Sequence, residues 1–438
     1  MYFRISKTRI EIIIELLLVL AVLLMHSVYV QEGVNIVSTN MLQVLIYMCV
    51  FTLIMLNIKR IDAKHLILMM LTLFGYCIFV ILHFDSFNIR YTTTRIVFPI
   101  IAFVILHNNL GANGISKLLI VFVNTVCIIA AVSLFFWMFG AMMGIIKPTK
   151  YYVYSWSIVS RVPSYYGLYF DGVPKYRNFN LFAKNCGIFP EPPMFMVPLC
   201  AALGFQTFYL PHNLRKQILL IITILTTVST TGFLVLILFF GYQWLFSIDK
   251  KGGRLKRLIR ITSAIPVAII LILVIAFLLT SKSTTGSFSV RNDHLNGCMN
   301  AFLHSGFMGI GFTGNTRILV GYYRYEQGTS VGLPYLLAAG GIELGALFVI
   351  PFIYSITISV KKEDRERLIL SIMYFIIYFM TAITGGFLLW FLTVFIFASN
   401  PYAMGQAIPT RTNPQHIRTA DLGQKTGRFL SSGIYPKG

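Results

Sequence analysis

ILLIITILTTVSTTGFLVLILFFGYQWLF, residues 218–246, is the stretch that decides how this chain folds. It is as apolar as a transmembrane segment, yet its 29 residues exceed the roughly 20 that cross a bilayer core about 30 Å thick. Both flanks are basic: Arg215 and Lys216 precede it, and Lys250, Lys251, Arg254, Lys256 and Arg257 follow. Basic flanks stay on the cytoplasmic side, so a chain with both flanks inside must enter the membrane and return. The reversal is expected at Ser229-Thr230-Thr231-Gly232, where hydroxyls compete for backbone hydrogen bonds and glycine permits a turn. Each arm is then short, and a full hairpin and a re-entrant loop both fit.

Further apolar runs lie near 12–30, 40–58, 66–84, 95–107, 118–146, 193–210, 262–280, 334–356, 368–384 and 386–400. Hydrophobic residues make up 57% of the 438 and charged residues 12%, against about 25% charged in a soluble globular protein. Such a chain cannot cover itself in water, which excludes a soluble enzyme or transcription factor. The first run follows Arg4, Lys7 and Arg9 as in a signal peptide, but lacks a small-residue cleavage site and is expected to remain as an uncleaved helix. The result is an all-α polytopic membrane protein of about 12 transmembrane helices, the 218–246 hairpin included. Residues 1–402 form the membrane domain and 403–438 a polar cytoplasmic tail. Both termini are then inside, with 24 basic residues on the cytoplasmic side and 12 outside.

The net charge of +21 does not signal nucleic acid, because the basic residues fall between apolar runs and no soluble basic domain is present. Cys49, Cys77, Cys127 and Cys200 lie inside apolar runs, where a thiol behaves as a small hydrophobe. Cys186 and Cys298 fall in external loops and can pair in an oxidising compartment. No Cys/His cluster points to a metal.

Two external segments are long, about 147–192 and 281–333, and long loops on one side of a polytopic protein commonly carry function. The first holds Lys147, Lys150, Arg161, Lys175, Arg177 and Lys184 against Asp171 and Glu191; the second holds Lys282, Arg291, Arg317 and Arg324 against Asp293 and Glu326. Positive charge outside runs against the orientation signal and is explained by an anion there, either lipid headgroups or a substrate. Tyr166 and Tyr169, between Pro163 and Pro174, can stack on a sugar and hydrogen-bond its hydroxyls. Glu191 precedes Pro192 and Pro193, which suit a first helical turn. It either complements the helix dipole or, withdrawn from water, accepts a hydroxyl proton.

In the second loop, a short amphipathic helix is expected after Arg291-Asn292-Asp293-His294, with Leu295, Cys298, Met299 and Phe302 on one side. Asn292 or Asp293 would cap it, Arg291 beside its free N–H groups would hold an anion, and His294 could shuttle a proton. Gly309-Ile310-Gly311-Phe312-Thr313-Gly314 matches a dinucleotide fingerprint without the strand that the fingerprint needs; it is either a phosphate nest or a flexible turn. Glu343, flanked by glycines, is an intramembrane carboxylate and a functional candidate by position, expected to partner an arginine.

Several of these features, in this order, resemble the bacterial O-antigen polymerase and ligase superfamily (Wzy-type polysaccharide polymerases). They are the Arg177 to Gly187 spacing leading into Ile188-Phe189-Pro190-Glu191-Pro192, the Ser229-Gly232 hairpin, Arg291 with its short helix and Gly309-Ile310-Gly311, and the Glu343-Leu344-Gly345 helix. The resemblance covers roughly residues 150–350. It implies an enzyme of the bacterial inner membrane that joins oligosaccharide units carried on undecaprenyl diphosphate, with inversion at the anomeric carbon. Donor and acceptor would both be lipid-linked, membrane lipids would surround them, and a chain-length regulator is a conceivable further partner. By the resemblance, Arg177 and Arg291 hold diphosphate. In the ligase branch a loop histidine is functional, and His294 lies in a comparable region.

The residues themselves agree with metal-independent transfer. No Asp-x-Asp and no nucleotide-binding domain is present, and a lipid diphosphate leaves without a metal if guanidinium groups meet its charge. No cofactor is expected. A ligase with the same donor, and a flippase or transporter, are the alternatives. The transporter is disfavoured by the absence of paired halves.

Overall fold

The computed structural model describes residues 7–30, 34, 36–82, 89–154, 160–172, 183–246, 286–311, 319, 321–323, 330–381 and 386–399. The crossing expected at 262–280 and the tail at 403–438 lie outside these. The chain is mostly helical: α1 Lys7–Leu24, α2 Thr39–Leu56, α3 Ala63–Leu82, α4 Ile89–Met142, α5 Pro192–Gly204, α6 Leu214–Thr226, α7 Thr230–Phe246, α8 Gly286–His304, α9 Leu333–Lys361, α10 Arg365–Met380 and α11 Phe387–Phe397. Among the described residues, α2, α3, α4 and α9 are long and apolar enough to cross a membrane.

At 54 residues, α4 would run about 81 Å if straight, far more than one crossing. It breaks at Gly111 (φ 61°, ψ −176°). Phe103 before the break and Phe122 after it would stand about 28 Å apart on a straight helix, yet both rings lie 5.6 Å from Phe391. The helix therefore folds back on itself, matching the two runs expected at 95–107 and 118–146. At the break, the side-chain oxygens of Asn109 and Asn108 accept the N–H groups of Lys59 (2.7 Å) and Asp62 (3.1 Å), tying it to the α2–α3 loop.

The 218–246 stretch reverses as its length requires, with α6 and α7 as short arms. The turn occupies Thr227–Ser229, just ahead of the glycine, with Val228 at φ 50°. Gly232 lies inside α7 instead, where an added Cβ would press on Ile224 and Met196 at 3.1 Å. It serves close packing rather than the turn.

The segment expected as the first external loop departs from an all-α chain. β1 (Lys150–Tyr154), β2 (Ser160–Tyr165) and β3 (Tyr169–Phe170) form an antiparallel sheet in that order, with Tyr152 opposite Val162 and Ser164 opposite Phe170. Arg161 faces out while Val162 is buried with Val28 and Phe170, the two-residue alternation of a half-buried strand.

α9 breaks at Gly341 (φ 65°, ψ −163°). A helix interrupted inside a membrane protein leaves carbonyls and N–H groups that need partners. Here the Gly309–Gly311 segment supplies them. Ile310 N and Gly311 N donate to Ala338 O and Ala339 O, both at 2.9 Å, and Ile342 N donates to Phe307 O at 3.1 Å. A Cβ on Gly341 would come 2.3 Å from Met308 O, and one on Gly309 2.4 Å from Gly341 N. The N–H groups of Ile310 and Gly311 are thus spent on closing a helix break and are not open to a phosphate. Phe312–Gly314 lie outside the described residues.

Glu343 is not alone as a carboxylate within a helix of the bundle. Glu15 of α1 is 2% exposed, with Lys117 as a charged neighbour; its place after Arg4, Lys7 and Arg9 disguises it as part of a polar flank.

Gly341→Ala tests the clasp at 309–311. The glycine-only conformation and the backbone clash should cost at least about 1–3 kcal/mol, seen as a lower melting temperature of the purified protein in detergent, whereas Gly75→Ala, in open space, should leave it unchanged.

Candidate functional site

The end of the first loop, residues 183–191, is held rigidly against the bundle. Trp137 Nε1 donates to Ala183 O (2.8 Å). Asn185, fully buried, donates through its backbone N–H to Thr226 O (3.0 Å) and through Nδ2 to Thr226 Oγ1 (3.1 Å) and Ser133 Oγ (3.2 Å), while its Oδ1 accepts Gly187 N–H (3.1 Å). Phe170 N donates to Gly187 O and Val28 N to Ile188 O, both at 2.9 Å. Gly187 takes φ 59° with Phe195 packed where a Cβ would stand. Asn185 therefore fastens the loop to the turn of the α6–α7 hairpin and to α4 at once.

Lys184 and Glu191 flank this fixed segment. Glu191 is the residue before α5 and its backbone oxygen accepts Met194 N–H (3.1 Å) and Phe195 N–H (3.2 Å), but its side chain makes no capping bond. A carboxylate at this position still complements the dipole of α5, so both roles expected of Glu191 stay open. Its carboxylate also acts electrostatically on Arg291 of α8 and on Lys184. Arg291 and Lys184 are both partly buried. Burial lowers the pKa of each below its usual range. Glu191 draws both back toward the charged form, helped at Lys184 by Cys186, while Arg291 and Lys184 oppose each other. No carboxylate of the described residues is within ion-pair distance of either cation. Two desolvated cations and one carboxylate, drawn from both long loops, form the candidate site.

The local structure around Arg291 differs from expectation. α8 begins at Gly286, so Arg291, Asn292 and Asp293 lie within the helix rather than at its cap. Arg291 therefore does not stand beside the free N–H groups of the first helical turn. The buried stripe is His294, Gly297, Cys298, Ala301 and Phe302, rotated from the predicted face, so that Met299 is exposed. Gly297 sets this rotation, because Tyr323 packs where its Cβ would be, 2.4 Å away. Asp293 is partly exposed beside the stripe.

His294 is withdrawn from the surface. Its Nδ1 accepts Ser330 N–H (3.1 Å), lies 3.0 Å from Ser330 Oγ, and the ring packs 4.6 Å from Tyr323. A neutral ring with Nδ1 accepting carries its proton on Nε2. One turn on, Cys298 Sγ lies 3.2 Å from Tyr323 Oη, and no disulfide joins Cys298 to Cys186.

Tyr169 does not offer a sugar platform. It is 0% exposed, packed with Tyr165 (5.7 Å) in a cluster that includes Phe136. Tyr166, with φ 54° and 67% exposure, and Arg161 remain outward. Glu343 meets no arginine within ion-pair distance among the described residues; it lines a small cavity between α3, α4 and α9 with Tyr76, Thr92 and Leu347. Arg177 and Arg317 lie outside the described residues. Among the described residues, no group of three or more His, Cys, Asp and Glu side chains is placed to hold a metal. No protein-family model, curated protein or solved structure matches the chain.

Asp171, beside β3, gives a pH signature to the sheet that supports the loop. It is buried, its Oδ1 lacks a hydrogen-bond partner among the described residues, and burial pushes its pKa up to about 7. The folded carboxyl binds its proton more tightly than the unfolded one. Stability should therefore fall as pH rises from about 4 to about 7, by on the order of 4 kcal/mol. Asp171→Asn should flatten the melting temperature across that window relative to the parent protein.

Proposed function

We propose that this protein polymerises oligosaccharide units carried on undecaprenyl diphosphate, at the outer face of a bacterial inner membrane. The observation that carries the proposal is the convergence of Arg291, Lys184 and Glu191 from two loops separated by about a hundred residues of sequence. The architecture that goes with it has about twelve crossings and both termini in the cytoplasm, with the two loops outside.

In the proposed reaction the growing chain is the donor. Its anomeric C1–O bond to diphosphate breaks as a hydroxyl oxygen of the incoming unit bonds to C1 from the opposite side, inverting the centre. The hydroxyl proton passes to the Glu191 carboxylate, and the bonding electrons leave with undecaprenyl diphosphate. Arg291 and Lys184 neutralise that leaving group, with Arg177 joining them if it lies where the resemblance places it. Cations already fixed and desolvated spend no energy reorganising as charge develops. A partly buried cation pair suits a dianionic leaving group. Tyr166 in the β2–β3 turn and Arg161 on β2, both exposed, would meet sugar hydroxyls.

The test uses purified protein, a lipid-diphosphate oligosaccharide and a chelator, with products resolved on a gel. A ladder of lipid-linked multiples is expected. Arg291→Ala should lower turnover about a hundred- to a thousand-fold, and Glu191→Gln by a similar factor, with both variants still in the membrane. Transfer only to a separate added acceptor would make the protein a ligase, and an unchanged ladder in Arg291→Ala would remove the site from the reaction.

A further inference from the structure

Arg95 is a cation that the loop site leaves unused. It sits in the π-helical segment Thr93–Val97 of α4, and such wide turns recur at functional positions because they free backbone groups from the helix ladder. Here the carbonyls are taken by other helices. Tyr47 Oη (2.9 Å) and Gln43 Nε2 (3.3 Å) of α2 donate to Thr94 O, and Trp390 Nε1 of α11 donates to Arg95 O at 3.0 Å. Tyr47 also packs edge-on against Phe387 of α11 at 5.4 Å. The segment is braced from two sides.

The side chain so placed is half buried, and no carboxylate of the described residues lies within ion-pair distance. Its electrostatic neighbours are Tyr91, Tyr47 and His26, none of them an anion. His26 is seated against Gly386 at the start of α11, its ring 2.0 Å from where a Cβ would be. An arginine inside a membrane helix is costly and marks a functional position by default; one that meets no carboxylate among the described residues points to an anion as its ligand.

This position shares an end of the bundle with the loop site. Two residues past His26, Val28 N donates to Ile188 O, and Tyr29 Oη donates to Gly167 O, so the end of α1 abuts the loop that carries Lys184 and Glu191. Tyr335 of α9 feels both Tyr91 and Cys298 of α8, linking the Arg95 side to the helix of Arg291.

We propose that Arg95 is a second phosphate-binding subsite, holding the diphosphate of the acceptor substrate while Arg291 and Lys184 hold that of the donor. The assignment rests on the polymerase reaction above, in which both substrates carry a lipid diphosphate and the acceptor keeps its own throughout. Two such groups at one face require two separated cationic sites, or they would repel each other.

Native mass spectrometry of the protein in nanodiscs, with undecaprenyl diphosphate as the probe, tests this. The parent protein should bind two molecules, Arg95→Gln one, Arg291→Gln one, and the double variant none. Arg95→Lys keeps the charge but loses the two-pronged geometry; it should weaken the second molecule about tenfold and leave the first unchanged. It decides the matter if Arg95→Gln does not fold, and unaltered binding in it would overturn the subsite. A parent protein that binds one molecule, lost in Arg291→Gln and kept in Arg95→Gln, overturns the subsite and leaves the polymerase standing. Binding of none overturns both. Displacement of the Arg95-dependent molecule by an equal concentration of phosphatidylglycerol would assign the site to a bulk phospholipid headgroup instead.

Discussion

In hydrocarbon there is no water to accept a stray backbone group, so every helix break in this protein must be closed by another part of the chain. Among the described residues three breaks stand out, and each is closed by named partners. Asn108 and Asn109 receive the α2–α3 loop at the Gly111 reversal. Asn185 meets the end of α6 at the hairpin turn. The backbone of Phe307–Gly311 pairs with α9 on either side of Gly341. Two of these closures also position chemistry: Asn185 is the neighbour of Lys184, and the 307–311 segment follows directly from the helix that bears Arg291.

Charge is distributed on the same logic. Arg367, buried at the start of α10, donates to Ser355 Oγ (3.0 Å) and to Phe397 O, so its guanidinium ends α11 by taking up an orphan carbonyl. Lys59 does similar work at Leu110 O (3.4 Å). Arg291, Lys184 and Arg95 have no such structural employment in the described residues. Arg367 and Lys59 are thus spent on helix-end carbonyls, whereas Arg291, Lys184 and Arg95, all partly buried, meet no carboxylate within ion-pair distance among the described residues.

Much of the architecture was legible because length and charge leave few options. A 29-residue apolar run between basic flanks must reverse, and does so. Other features were hidden for physical reasons. The sheet at 150–170 was masked by its aromatics, which read equally as an interfacial belt. Ser287 and Ser289, poor helix formers in isolation, hid the early start of α8, and with it the removal of Arg291 from a cap. Tyr169 carries the same side chain as Tyr166, yet one is core and the other surface, because the short β2–β3 turn points them to different environments. Arg95 stands at the edge of an apolar run, and nothing local announces the wide turn that holds it.

What the sequence determined alone is the solvent: a chain so poor in charge and so rich in apolar runs has to be helical and live in a bilayer, with its reversals at residues that tolerate them. The tertiary structure decided which charges meet. Lys184 and Arg291 are more than a hundred residues apart in sequence, and no periodicity relates them. They come together because the segments next to them are each fastened to helices distant in sequence, Asn185 to α6 and residues 307–311 to α9, and hydrogen bonds across such distances obey proximity in space, which local sequence does not encode.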